Sequence, residues 1–309
     1  MKQLPSDPFK IRRTAARVVK NSQLVSINQI KLAQFGQQIS QAIRQKQLLT
    51  QAQFGRRQNT CQKIFLLDTV NFCFWAKKNQ KKWTVEYPSG KLTDGWEALV
   101  AVFDQAIAEK IPLLNSQFLI NLNLKQGLHL FRSANQTQIP FLKTRIKFLQ
   151  QAGFILKTKF KGDFYYLLEQ ADFKAVKIIQ LIIKHFPSFK DIFYKRAQIC
   201  AYDLSFLPEV KISDLDQLTV FADYKLPQIL RSLGILNYQP SLAKKVDNLI
   251  LIPKNSQEEI EIRAAVIWAG ELLARKLQQP PCLIDNVIWS LSQTHPSTQP
   301  YHRTLTTNY

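Results

Sequence analysis

Apolar positions along this chain recur mostly at helical spacing. Residues 8–20 and 26–46 carry apolar side chains three and four apart on a polar background, which predicts two amphipathic helices, the second Gln-rich and surface-lying. Residues 61–77, CQKIFLLDTVNFCFWAK, are apolar almost all round and predict a largely buried helix. The period then changes: WTVEY, PSG and KLTDGW predict a strand, a turn and a short return strand. Helical spacing resumes over 95–109 and again near 123–132, 140–152, 172–185, 190–204, 224–233, 258–278 and 283–293. Pro187, Pro208 and Pro240 punctuate these segments, and Ser256 with Glu259 has the spacing of a capping box for the long late helix. One β-hairpin among about ten helices predicts a mainly α fold, with residues 1–309 in a single domain.

Composition adds two things. Only 9 glycines occur, which favours helices on short loops over a many-turned sandwich. Lys and Arg number 42 against 22 Asp and Glu, and the resulting charge of +20 draws in anions: nucleotides, nucleic acid or acidic lipid. A solubilising surface accounts for the same charge. The four cysteines, Cys61, Cys73, Cys200 and Cys282, stand singly, and no CxxC or HxxxH occurs, so no metal site is expected. Cys73 and Cys200 lie in apolar runs and read as free thiols of a reducing compartment. No apolar run reaches the ~20 residues of a membrane span. The N-terminus lacks a secretory apolar region, and Pro5, Asp7 and Pro8 point to a capped helix rather than a transit peptide, so the expected location is cytoplasmic.

Chemistry is sought where polar groups interrupt apolar runs, because a buried polar group costs free energy unless paired. In FLLDTVNFCFW, Asp68, Asn71, Phe72 and Trp75 fall at i, i+3, i+4 and i+7, one face of a continuous helix. A carboxylate, an amide and two aromatics there suit a flat heterocycle; an internal network with a neighbouring Arg suits them equally. In VFADYKLPQIL, Asp223 and Tyr224 precede a helix, where a carboxylate is ordinarily an N-cap worth about 1 kcal/mol. In FYKRAQICAYD, Tyr194, Lys195 and Arg196 offer a phosphate clamp or a buried ion pair. Glu261, Arg263 and Glu271 within EEIEIRAAVIWAGELL read as structural ion pairs. Asp285 and Trp289 in CLIDNVIWSL are i, i+4 neighbours. His129, Arg132, Tyr301, His302 and Arg303 carry less weight. No Walker loop, GxSxG, HExxH or GxGxxG occurs.

At these same segments the chain resembles the queuosine salvage proteins. The resemblance rests on LLDTVNFCFW, FRS within GLHLFRS, HFPSF, YKRAQ, LTVFADYKLPQIL, EIEIRAAVIWAGELL, IDNVIW and PYHR, in family order from about residue 60 onward; residues 1–60 match poorly and 61–309 form the family core. It implies a fold similar to the helical DNA glycosylases and an N-glycosylase that hydrolyses queuosine 5′-phosphate to release queuine. The family's pocket residues fall on Phe221, Asp223 and Asp285. Relatives commonly read Asp-Tyr-x-x-Trp-Asp in the late helix, where this chain has Asn286 and Ser290.

For that reaction the substrate is a small nucleotide, and no cofactor, metal, membrane or stable nucleic-acid partner is expected. Asp223 is the expected catalytic carboxylate, beneath an oxocarbenium-like ribose. Asp285 or Asp68, with Asn71, is expected at the edge of the base; Phe221, Phe72 or Trp75 stacked on it, with Trp289 beside Asp285; Lys195 and Tyr224 at the phosphate, with Arg196 and Arg132 behind them. The alternatives are a basic helical nucleic-acid-binding protein, which needs RNA and shows steep salt dependence, and a DNA-glycosylase-like enzyme, which needs a duplex track and a flipped base.

Overall fold

A computed structural model describes residues 6–46, 48, 54, 60–295 and 299–309; Pro5 lies outside them. Among the described residues it has fourteen α-helices and two antiparallel strand pairs, a mainly α fold as expected. Backbone contacts divide it into two compact units. Met1–Leu49, Asp214–Thr307 and Tyr309 form the first, and Thr50–Ser213 with Asn308 the second.

The first unit is organised around one long helix. It contains α1 (Ile11–Lys20), β1 (Val25–Ile27), α2 (Gln29–Arg44), α11 (Lys225–Ser232), β4 (Leu236–Tyr238), α12 (Pro240–Asp247), α13 (Gln257–Leu277) and α14 (Pro281–Thr294). α13 is buried along most of its length and meets α1, α2, α11 and α14. Its start follows the expected signal in part. Ser256 accepts the Glu259 N–H, but the Glu259 carboxylate turns to the N–H of Asn255. α14 starts from Pro280 and Pro281, at positions where a missing N–H costs nothing.

The second unit contains α3 (Cys61–Thr69), the hairpin β2 (Thr84–Glu86) and β3 (Leu92–Asp94), α4 (Gly95–Ala108), α5 (Ser116–Ile120), α6 (Leu124–Leu130), α7 (Leu142–Lys159), α8 (Tyr165–Gln170), α9 (Ala175–His185) and α10 (Lys195–Leu204). α3 packs on α4, α7 and α10, and the hairpin lies on α4. The hairpin turns at Pro88–Gly90 as its residues predict, with Gly90 at positive φ.

Three expectations need correction. The segment 26–46 is not one helix, because Val25–Ile27 pairs with Leu236–Tyr238, a second strand pair whose halves are too distant for local pattern to reveal. The helices α5, α8 and α12 lie outside the expected segments; they have 5, 6 and 8 residues, which gives little room for an apolar stripe to repeat. The helix expected over 61–77 ends at Thr69. At and beyond its end the carbonyls go to guanidinium groups far away in sequence: Arg196 of α10 donates to those of Asp68 and Thr69, and Arg145 of α7 to those of Val70, Phe72 and Cys73. Those carbonyls would otherwise accept helical N–H groups, and Cys73 takes positive φ.

Candidate active site

In the first unit a single 3-10 turn at Leu215–Gln217 leads into an irregular run from Leu218 to Asp223, and each part of this stretch is held. The five guanidinium protons of Arg12 all find acceptors: Glu271 Oε1 at 2.9 Å and the carbonyls of Ser6, Gln217, Asp216 and Leu218 at 2.6–3.1 Å. Further along, a Cβ on Gly270 of α13 would lie 2.1 Å from Val220, so only glycine permits this approach. The Phe221 N–H donates to Asp285 Oδ1 at 2.8 Å, and Arg263 Nε donates to the Ala222 carbonyl at 3.2 Å. The run ends at Asp223, whose Oδ1 accepts the N–H groups of Lys225 and Leu226 at 2.8 and 3.0 Å. The formal boundary residue of α11, Tyr224, makes no side-chain cap.

Asp223 therefore does cap a helix, but with one oxygen. Its Oδ2 makes no hydrogen bond among the described residues, and the side chain is half-buried. A carboxylate fixed by one oxygen and open at the other is suited to face a developing cation. Phe221 is buried, and Tyr224 has its ring 4.9 Å from that of Tyr301. Asp285 and Trp289 share a face of α14 as their spacing predicts, Asp285 buried and Trp289 half-buried. The expected Glu271 ion pair is present, with Arg12. Glu261 instead accepts from Ser22, from Gln257 and from the Leu24 N–H.

In the second unit, Asp68, Asn71, Phe72 and Trp75 are all buried, but not as one helical face, because only Asp68 lies within α3. Asn71 Nδ2 donates to Asp68 Oδ1 at 3.1 Å, and Asp68 Oδ2 is buried with no hydrogen-bond partner among the described residues. Burial pushes the Asp68 carboxyl up to about 7, against the pull of the Asn71 bond and the charges of Lys195 and Arg196. Arg196 NH1 donates to the carbonyls of Asp68 and Thr69 at 3.0 and 2.7 Å, and NH2 to that of Ser188. Burial pulls this guanidinium down to about 10, which leaves it charged at neutral pH. Two cations stand over the Phe72 ring, with Arg145 at 4.3 Å and Arg196 at 5.1 Å from its centroid. Lys195 opens α10 and is 4% exposed; its Nζ has no hydrogen-bond partner among the described residues.

The state of Asp68 has a measurable consequence. In the folded chain its carboxyl keeps its proton up to about pH 7, whereas an unfolded aspartate loses it near 3.9. Between those values the folded state binds more protons, so stability falls as pH rises and stays low above pH 7. Asp68→Asn removes this loss while keeping a partner for Asn71. Thermal melts are expected to coincide near pH 4 and to favour the variant at pH 8, by an amount on the order of a few kcal/mol. Curves that stay parallel across this range would show that Asp68 is ionised when buried.

Arg12 and Arg145 are the residues that pattern reading passed over. Their signal is a cation on an otherwise apolar stripe: Arg12 is buried beside Ile11 and Ala15, and Arg145 beside Leu142, Ile146 and Leu149. His129 and Arg132 form an exposed cluster with Glu109. Among the described residues no three His, Cys, Asp or Glu side chains gather as a metal site, and no helix is long and apolar enough to cross a membrane.

Comparison with known proteins follows the same segments. The sequence profile of the family described as "Queuosine salvage protein" matches residues 48–309. A Sphaerobacter thermophilus protein named queuosine 5′-phosphate N-glycosylase/hydrolase is 35% identical, over 99% of each chain. Proteins of the same name from Mus musculus and Nematostella vectensis are 33% and 38% identical, over 78% and 70% of this chain and 79% and 66% of theirs. With the profile spanning all but the first helices, and the first of these relatives aligned from end to end, this chain belongs to the queuosine salvage protein family.

Proposed function

We propose that this protein is an N-glycosylase that hydrolyses queuosine 5′-phosphate and releases queuine. The name shared by its relatives supports the substrate, and the observation that carries the chemistry is the half-engaged carboxylate of Asp223. The base is a 7-deazaguanine, so carbon replaces the N7 that assists ordinary purine release. The burden shifts to the ribose, where positive charge develops as the C1′–N bond lengthens. The C1′–N bond breaks and its electron pair leaves with the base, which takes up a proton on nitrogen. Asp223 Oδ2 stabilises the ribose cation or forms a transient ester with it, and water then adds its oxygen to C1′, displacing any ester, and releases a proton in exchange for the one on the base. The capping bonds hold Asp223 in place beforehand, so it needs no reorganisation when charge appears.

The base edge, with its N1–H and amino donors, suits Asp285, or Asp68 aided by Asn71. The two guanidinium groups over Phe72 favour Phe221 or Trp75 for stacking, and the three carbonyls bonded by Arg196 favour a supporting role for it over direct contact. Lys195, a nearly buried cation whose Nζ has no hydrogen-bond partner among the described residues, suits the 5′-phosphate, with Tyr224 the further candidate. Trp289 is assigned beside Asp285.

In this reading the enzyme acts in the cytoplasm on a free mononucleotide, with no nucleic-acid partner and no step routed through a metal. Purified protein is expected to release queuine from queuosine 5′-phosphate equally with and without EDTA, followed by mass spectrometry. Metal-dependent turnover, or no release from any queuosine derivative, would overturn the reading.

A further inference from the structure

Resting on that reading of Asp223, we propose that Arg263 is a positioning residue for it, acting through the carbonyl of Ala222 and braced by Glu259 and Tyr309. Arg263 is fully buried in the first half of α13. Its Nε donates to the Ala222 carbonyl at 3.2 Å. NH1 lies 3.6 Å from Glu259 Oε1, one turn earlier on the same helix. The guanidinium carbon stands 4.6 Å from the centroid of the Tyr309 ring, whose hydroxyl meets His302 Nε2 at 3.0 Å. His302 adds no competing charge, since burial, reinforced by the Arg263 charge, pulls its imidazole down to about 3.

The location of that one bond gives it its consequence. The Ala222 carbonyl belongs to the peptide plane that leads into Asp223, so fixing it fixes the direction in which Asp223 leaves the backbone. Asp285 pins the Phe221 N–H, two residues before Asp223, and the α11 cap pins Oδ1 after it. Without Arg263 the intervening peptide is free to rotate between two fixed points, and Oδ2 loses its defined aim. A buried arginine is a poor device for stability alone, because apolar residues of similar volume often fold as well or better. Its bond to the catalytic run gives it a different use.

The test is a double-mutant cycle in single-turnover queuine release, with thermal melts alongside. Arg263→Met is expected to lower kcat about 20-fold and leave KM within about threefold, a fraction of the ~100-fold that an ångström of misplacement costs. In an Asp223→Asn background the same change is expected to lower the residual rate less than about threefold, because there is no carboxylate left to aim. Melting temperatures, by contrast, should shift by similar amounts in both backgrounds. Arg263→Lys, which keeps the charge and one donor, is expected to lose about fivefold in kcat, again only when Asp223 is intact, and it serves if the Met variant does not fold. Equal factors in both backgrounds, or a loss confined to KM, would overturn the positioning role and leave the reading of Asp223 intact. An Asp223→Asn variant with undiminished rate would overturn that reading, and with it this inference.

Discussion

Asp223→Asn is expected to fold normally and to release queuine about 10²–10³ times more slowly than the natural chain. The structure separates the two roles of this residue by atom. Oδ1 accepts the Lys225 and Leu226 N–H groups, and an Asn Oδ1 accepts the same two bonds, so α11 keeps its start and the melting temperature barely moves. Oδ2 becomes an amide nitrogen, a donor where an anion is needed, and the developing oxocarbenium meets a partial positive charge. Were the carboxylate a nucleophile, the loss would be larger still, because the amide forms no glycosyl ester. Substrate affinity should survive, since the base and phosphate contacts lie elsewhere. A folded variant retaining more than about a tenth of the natural rate, less loss than a preorganised electrostatic group normally shows, would remove Asp223 from catalysis and move the assignment to Asp285.

The second large effect is expected at Lys195. Lys195→Ala should raise KM for queuosine 5′-phosphate by about tenfold to a hundredfold, the value of one charge-assisted bond at roughly 1.5–3 kcal/mol. For the unphosphorylated nucleoside, KM should change little. The contrast follows from burial: a surface lysine keeps its water and gains little from a phosphate, whereas one that is 4% exposed has already given up most of its hydration. Lys195→Met, which keeps most of the stem and loses the charge, should behave like the Ala variant. Equal losses with nucleotide and nucleoside would mean that Lys195 serves the fold, for instance through its charge on Asp68, and that the phosphate is read elsewhere.

Both substitutions sit in segments that were legible as unusual, and the reason is local: a charge in an apolar run needs a partner or a task. The helices were legible for the same kind of reason, since α4, α9, α13 and α14 each repeat their apolar positions over two or more turns. Where the reading failed, the deciding group was remote. α3 ends at Thr69, where the carbonyls at and beyond the end go to Arg145 and Arg196, 75 and 128 residues on, and no pattern within 61–77 announces it. Asp68 and Asn71 still meet, but through a turn and not along a helix. The partner strand of Val25–Ile27 is likewise on the far side of the chain. Arg12 was invisible as an anchor because a cation in an amphipathic helix looks solvated until its acceptors are known.

The span of the Arg12 contacts bears on how the protein is made. Arg12 bonds Leu218 and Glu271, 206 and 259 residues further on, so the first unit is closed by segments that leave the ribosome far apart in time. At the ~5–20 residues per second of synthesis, α1 waits roughly 10–50 s for its acceptor on α13. Meanwhile Ile11, Ala15, Leu32, Phe35 and Ile39, buried in the finished protein, have no partner to cover them. The second unit needs no such wait, because Thr50–Ser213 emerges as one continuous stretch. Nascent chains stalled once residue 213 has cleared the ribosome should therefore protect the second unit from protease while α1 and α2 stay cleavable and open to holdase chaperones.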